Sequence, residues 1–261
     1  MNKVFCKKGV IFSLLFTGYL ILFNISCGLD TFYVLNGSIY TNHTPLWNDP
    51  DIATGAYFDF TITEERDPGE PTRFIGFDVY YKIYKSSSIL QSQVEDLISI
   101  SDRSDSNNDA ANKLIESYKY QPLRGAGFYD MNVLFPSELN SVQENTKKST
   151  RVNIRLSDYR NTYFSQIKIK TDDMADFQNL YGNSSRVIPI RKHPNNLTFN
   201  FDALAPQFQP LNGDEDVNSN GTSTESCWYV SMFALGKGMD ESYSPIYSNI
   251  VYLGSVKIPL E

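Results

Sequence analysis

The run Arg73–Tyr84, RFIGFDVYYKIY, constrains the chain more than any other segment. It alternates with period two and is rich in β-branched and aromatic residues, the pattern of a strand rather than a helix. Strand side chains alternate between faces, so Tyr80 and Tyr84 share one face and Tyr81 takes the other. Similar stretches recur at 55–63, 153–156, 163–170, 186–191, 197–201, 227–235 and 246–258. Turn-forming residues separate them, among them Asp67-Pro68-Gly69, Asn195-Asn196 and Asn212-Gly213. Strands punctuated in this way predict an all-β sandwich or barrel.

One region departs from the pattern. Ile89, Leu90, Val94, Leu97 and Ile98 stand at helical spacing. A second helix is predicted from Asp109 to Tyr118, with Ala110, Leu114 and Tyr118 on one stripe. The polar stretch 101–108 between them can cap it. The expectation is one β-sandwich domain over 31–261 with a helical insertion near 88–120. The polar span 136–150 reads as an exposed loop, and there is no internal repeat.

The first 26 residues differ in kind from the rest. Lys3, Lys7 and Lys8 form a positive start, and an apolar run from Val10 to Phe23 follows. That run is shorter than the roughly 20 residues a membrane-spanning helix needs. Asn24-Ile25-Ser26-Cys27-Gly28 comes next, completing the layout of a secretory signal. Ser26 before Cys27 resembles the lipobox of bacterial lipoproteins, in the relaxed form found in spirochaetes. Asn24 stands where the strict motif prefers leucine. The resemblance implies a signal peptide over 1–26 and lipidation of Cys27. Residues 27–30 then form a short tether, and Thr31-Phe32-Tyr33-Val34-Leu35 already reads as a strand. The folded body is expected close to the membrane, held by acyl chains that each contribute about 0.8 kcal/mol per buried CH₂. With Cys6 removed and Cys27 lipidated, Cys227 is expected to be a buried, inert thiol.

Composition sets the outer limits. With 14% aromatic and 20% charged residues the chain is not intrinsically disordered. Loss of the first 26 residues, with three lysines and no acid, takes the formal charge from −7 to −10. An acidic protein is a poor binder of phosphate backbones, so no nucleic-acid partner is expected.

The C-terminal stretch resembles the last two strands of a fibronectin type III domain. Trp228, Val230, Met232 and Ala234 alternate on one face, Gly236-Lys237-Gly238 can turn, and Ser242-Tyr243-Ser244-Pro245 leads into the final strand. The tyrosine-rich strand ending at Tyr84 fits the central strand of that family. The family's corner tyrosine falls on Trp228, whose indole N–H cannot replace a phenolic hydroxyl in kind. The resemblance implies an immunoglobulin/fibronectin III-like sandwich.

Candidate chemistry is sparse. Asp216, Asn218 and Asn220, followed by Gly221, have the oxygen-ligand spacing of a calcium loop, with Asp214 and Glu225 nearby. Cys227 occupies the position where such a loop carries its bidentate glutamate, and the alternative reading is a solvated acidic turn. Calcium is the one cofactor the spacing suggests. His43 and His193 lie apart and read as loop histidines. The Gly-x-Ser-x-Gly elbow of serine hydrolases is absent. Gly125-Ala126-Gly127 leads toward a strand-like stretch rather than opening a helix, so it is not a phosphate cradle. No catalytic residues are assigned. The tyrosines of 80–84 and of the last strands offer either a contact surface for a protein ligand or ordinary cross-strand packing. The expectation is a non-catalytic binding module, lipid-anchored in the outer membrane of a bacterial cell envelope. The alternative is a periplasm-facing structural or assembly lipoprotein, with an enzyme or small-molecule binder behind both.

Overall fold

Strand Arg73–Tyr84 forms without interruption, and from Gly76 onward every residue on both of its faces is buried. A strand apolar on two faces needs a layer on each side, and that requirement organises the molecule. The computed structural model describes residues 37–65, 73–103, 108–138, 147–221, 226–240 and 242–260. The expected signal over 1–26, the lipidation residue Cys27, its tether and the strand-like 31–35 lie outside the described residues. So do Asp67-Pro68-Gly69 and Glu225.

In chain order the strands are β1 (Gly37–His43), β2 (Phe58–Glu65), β3 (Arg73–Tyr84), β4 (Gln121–Pro122), β5 (Arg124–Gly125), β6 (Phe135–Pro136) and β7 (Lys147–Arg155). There follow β8 (Gln166–Thr171), β9 (Gln178–Asn179), β10 (Pro189–Ile190), β11 (Val217–Asn218), β12 (Cys227–Met239), β13 (Pro245–Tyr247) and β14 (Val251–Pro259). Helix α1 is a single turn, Ile52–Gly55; α2 is Ser87–Ser101; α3, Asp109–Asn112, continues as a π-helical turn over Lys113–Ser117.

The outer sheet has the order β1-β2-β7-β8-β9, antiparallel throughout. The middle sheet is built on β3 and β12, paired antiparallel from Tyr84/Tyr229 to Arg73/Met239. Strands β13 and β14 pair with β12 on its other side. The remaining edge of β3 is covered piecewise by β6, β4 and β11, the last of them parallel. A small β5–β10 ladder stands apart. The body is thus mostly β, with antiparallel sheets packed in a sandwich-like arrangement.

Side-chain alternation decides what each layer touches. Phe58, Phe60 and Ile62 of β2 and Val152 and Ile154 of β7 face the middle sheet. They pack with Val79, Tyr81 and Ile83 of β3 and Val230, Met232 and Ala234 of β12. The opposite face of the middle sheet carries Tyr80, Tyr84, Tyr229 and Phe233, which pack under Leu90, Val94 and Leu97 of α2 and Leu114. Burying each such side chain contributes about 1.5–3 kcal/mol. The helical insertion is therefore a third layer, and the expected stripes of α2 and of the second helix face the sheet. Cys227 is buried in this layer, 4% exposed.

Several boundaries differ from the sequence expectation. Gly236-Lys237-Gly238 does not turn; β12 runs through it, with an irregularity at Lys237/Gly238, because β3 offers partners as far as Arg73. The turn comes later, where the Asp240 carboxylate accepts from the amides of Ser242 and Ser244 at 2.9 and 2.8 Å. The final strand is split into β13 and β14. Lys147–Thr150, expected in a loop, belong to β7, where they face β2. The stretch 197–201 forms only one bridge, Ile190 to Thr198. Strand β1 begins where no strand was expected. Gly254 of β14 has φ +126° and lies against Pro45, whose carbonyl accepts from Ser255 N at 3.0 Å. No helix among the described residues is long and apolar enough to cross a membrane.

Candidate functional site

The edge of β3 that is covered by short pieces brings distant charged residues together. Strand β11 docks parallel to it, with Ile83 N donating to Asp216 O at 2.9 Å and Lys85 N to Asn218 O at 3.2 Å. That pairing turns the Asp216 side chain into the interior, where it is fully buried. Arg191 follows β10 and is held by its own amide bond to Leu197 O. Its guanidinium meets Asp216 side-on, with Nε to Oδ2 at 2.9 Å and Nη2 to Oδ1 at 2.8 Å. Nη2 also donates to Asp214 Oδ2 at 2.7 Å. Tyr81, from the inner face of β3, donates to Asp216 Oδ2 at 2.7 Å and accepts from Lys192 N at 2.5 Å.

These contacts set the protonation states. Burial alone would lower the Arg191 guanidinium, but the bonds to Asp216 and Asp214 outweigh it and hold the group above its ordinary range. Burial and the neighbouring Asp216 carboxylate push the Tyr81 phenol well above its usual value. The remaining donor, Arg191 Nη1, is buried without a hydrogen-bond partner in the structure. A buried donor left unmatched costs about 1–3 kcal/mol, so it is a group that needs an explanation.

Above this network lies a cleft of about 600 Å³, lined by residues from 122–130, 190–196 and 213–215. Arg124 forms part of its wall. The buried Asp78 of β3 fixes it at 2.7 and 3.2 Å, and Arg124 in turn donates to the carbonyls of Met131 and Asn132. Lys82 Nζ bonds the carbonyl of Glu215, which lines the cleft, and that of Lys119, at 3.0 and 3.2 Å. Burial draws Lys82 below its ordinary value. His193 lines the cleft half-buried, with Nε2 at 3.7 Å from Asp214 Oδ1.

The sequence-predicted residues end in different places. Of the suggested calcium loop, Asp216 enters this network, and among the described residues the bonds to its carboxylate come from Arg191 and Tyr81. Asn218 sits in β11 and its Oδ1 accepts from Asn220 N at 3.1 Å, a local turn. Asp214 joins Asp216 around the arginine rather than joining Asn218 and Asn220. Among the described residues no group of three or more His, Cys, Asp or Glu side chains is placed to hold a metal. His43 is not a plain loop histidine: it closes β1, bonds Gly55 O at 2.9 Å and stacks on Tyr57. Of the tyrosines offered as a contact surface, Tyr80, Tyr81, Tyr84 and Tyr229 are buried between layers, while Tyr247 and Tyr252 of the last strands are half-buried. Arg191 and Arg124, the two residues that organise the cleft, carry no local motif that singles them out.

No family model, no curated protein and no solved structure matches the chain.

Proposed function

We propose that the chain is an exported bacterial lipoprotein of spirochaete type, anchored through Cys27 in the outer membrane, whose body is a non-catalytic binding module at the cell surface. In this reading the β12–β14 pairing descends from an immunoglobulin/fibronectin III-like sandwich, to which the helical layer has been added. The observation that carries the binding role is the cleft over Arg191. Its floor is cross-linked by the bonds among Arg191, Asp216, Asp214 and Tyr81, and one donor of the buried guanidinium beneath it has no acceptor. Preorganisation of this kind favours binding, since little is ordered on association. It does not favour proton transfer: Asp214 and Asp216 are committed to Arg191, and the Tyr81 phenol is too weak an acid to shuttle protons near neutrality.

The test combines anchoring with topology. Cells expressing the full chain are labelled with radioactive palmitate and treated with protease, intact or lysed. The expected result is label on the wild type, none on Cys27→Ser, and loss of the folded body from intact cells. Protection until lysis overturns the surface assignment in favour of a periplasm-facing assembly role. Unlabelled wild type overturns the anchor.

A further inference from the structure

A second hollow, independent of the cleft, lies on the outward face of the outer sheet. Strand alternation points Lys147, Arg151 and Arg155 of β7 and Lys168 and Lys170 of β8 away from the core, opposite the buried Val152, Ile154 and Ile167. At one end of this stripe the cations are matched by carboxylates: Lys147 by Glu65 and Arg151 by Asp59. Lys170, across from Arg151, bonds Ala175 O at 2.6 Å. At the other end Arg155 and Lys168 have no carboxylate partner among the described residues.

Arg155 is the unusual member. It is only 7% exposed, yet its guanidinium is met by two carbonyls, Ala53 O at 2.9 Å and Thr54 O at 3.3 Å. Aromatic rings supply the rest of its surroundings, with Tyr163 at 4.8 Å and Tyr57 at 5.4 Å. Burial draws its charged state down, and no carboxylate among the described residues pairs with it to offset that. Around it opens a polar hollow of about 330 Å³, lined also by Asn153, Gln166 and Lys168, with the exposed Phe164 among its walls. Its lining contains no acidic side chain.

We propose that this hollow binds an acidic saccharide unit, a pyranose ring carrying a carboxylate or sulfate. The anion lies with Arg155 and Lys168, which lack one among the described residues; charge-assisted bonds of this kind are the strong ones. The exposed Phe164, whose ring also carries Arg186 at 4.7 Å, takes the apolar C–H face of the sugar, and the amides of Asn153 and Gln166 reach its hydroxyls. The volume is at the lower end of small-ligand sites and suits one or two sugar residues. The net negative charge of the whole chain does not exclude an acidic ligand, since fields beyond about 8–10 Å are screened at physiological salt and the local lining is cationic.

The experiment is calorimetric titration of the full chain in detergent micelles with a hyaluronan hexasaccharide, in which glucuronate alternates with N-acetylglucosamine. Methyl glucoside and sodium sulfate are the controls. The expected result is saturable binding of the hexasaccharide that weakens as salt rises, with neither control competing at equal concentration. Because Arg155 is buried, the site is mapped with Lys168→Ala and Phe164→Ala. Each is expected to weaken binding by about tenfold or more while leaving the thermal transition in place. Full competition by sulfate reduces the hollow to an anion site and overturns the proposal. So does equal binding of methyl glucoside, unchanged affinity in both variants, or no binding at millimolar ligand. The palmitate and protease outcomes above do not depend on this hollow, so failure of either proposal is seen independently of the other.

Discussion

Replacing Asp216 with alanine tests whether the Arg191 network is as tight as its geometry implies. The carboxylate accepts from Arg191 Nε, Arg191 Nη2 and the Tyr81 hydroxyl, all within 2.9 Å. Its loss leaves a guanidinium with 0% side-chain exposure facing Asp214 alone, and a buried phenol without its acceptor. Breaking a buried pair by removing one partner costs about 3–5 kcal/mol, against a total stability of about 5–15 kcal/mol. At a urea slope of about 3 kcal/mol/M the midpoint falls by about 1–1.7 M. Urea unfolding followed by tryptophan fluorescence measures it, because Trp228 is buried in the core that Tyr81 shares. The double variant Arg191→Met, Asp216→Leu recovers part of the loss, since the buried charge pair is gone while Asp214 keeps only the Leu211 amide and the nearby His193. A cost below about 1 kcal/mol for Asp216→Ala, the value of an exposed pair, refutes the reasoning. So does a wild-type midpoint that rises with millimolar calcium over EDTA and no longer does so in Asp216→Ala, because the carboxylate then serves a metal.

Three further outcomes follow from the layers. Leu97→Ala empties a fully buried position between α2 and the middle sheet; it is expected to cost about 2–5 kcal/mol in urea unfolding, and a cost under about 0.5 kcal/mol means the helical layer is not packed as described. Gly254→Ala puts a Cβ 2.5 Å from Pro45 Cδ and 2.7 Å from Pro45 O at a φ of +126°; the thermal midpoint is expected to fall, and an unchanged or raised midpoint refutes the contact. Hydrogen bonds from Lys113 and Tyr118 hold the Asp96 carboxyl below its ordinary 3.8, clasping α2 to the following helix. A depressed carboxyl stabilises the fold above its unfolded value and loses that contribution as pH falls through the folded one. Asp96→Asn is therefore expected to cost about 0.2–1 kcal/mol at neutral pH, and the difference from wild type closes as pH falls below 3.8. A difference that persists in acid rules out the ion pair as its source.

The parts of the fold that were legible in the sequence are those with long periodic segments. Residues 73–84 form β3 without a residue's error, and 227–235 form the core of β12, because twelve or nine alternating residues carry their own period. The stripe Leu90, Val94, Leu97 likewise identified α2 and its buried face. The two-residue strands β4, β5, β6, β9, β10 and β11 carry no period at all. They exist because β3, β8 and one another present open backbone groups, which is a tertiary cause. The cleft is built from these pieces, so it was not legible. The spacing of Asp216, Asn218 and Asn220 suggested calcium because ligand spacing is local, whereas Arg191 arrives from 25 positions away. Tyr81 and the lysines of β7 and β8 were visible as residues; what they face was not.

The middle sheet also limits how this protein can bind. One edge of β3 is occupied over 76–84 by β6, β4 and β11 in turn. On the far side, the β14 amide of Ser255 donates to Pro45 O, and Gly254 lets that segment approach closely. Strand addition needs a run of unpaired backbone groups, and this sheet offers little at either edge. Its broad faces are equally committed, one to the outer sheet and the other to the helices. Recognition is left to side chains on what the layers do not cover, the cleft over Arg191 and the outward face of the outer sheet. Both are places where an arginine lies buried among groups that do not fully satisfy it, one through an unmatched Nη1 and the other through an uncompensated charge. A fold gains little from burying a guanidinium in that way, and an apolar side chain of similar volume is often as stable or more so. Stability alone therefore gives little reason for an arginine at either position, and the proposed binding roles supply one.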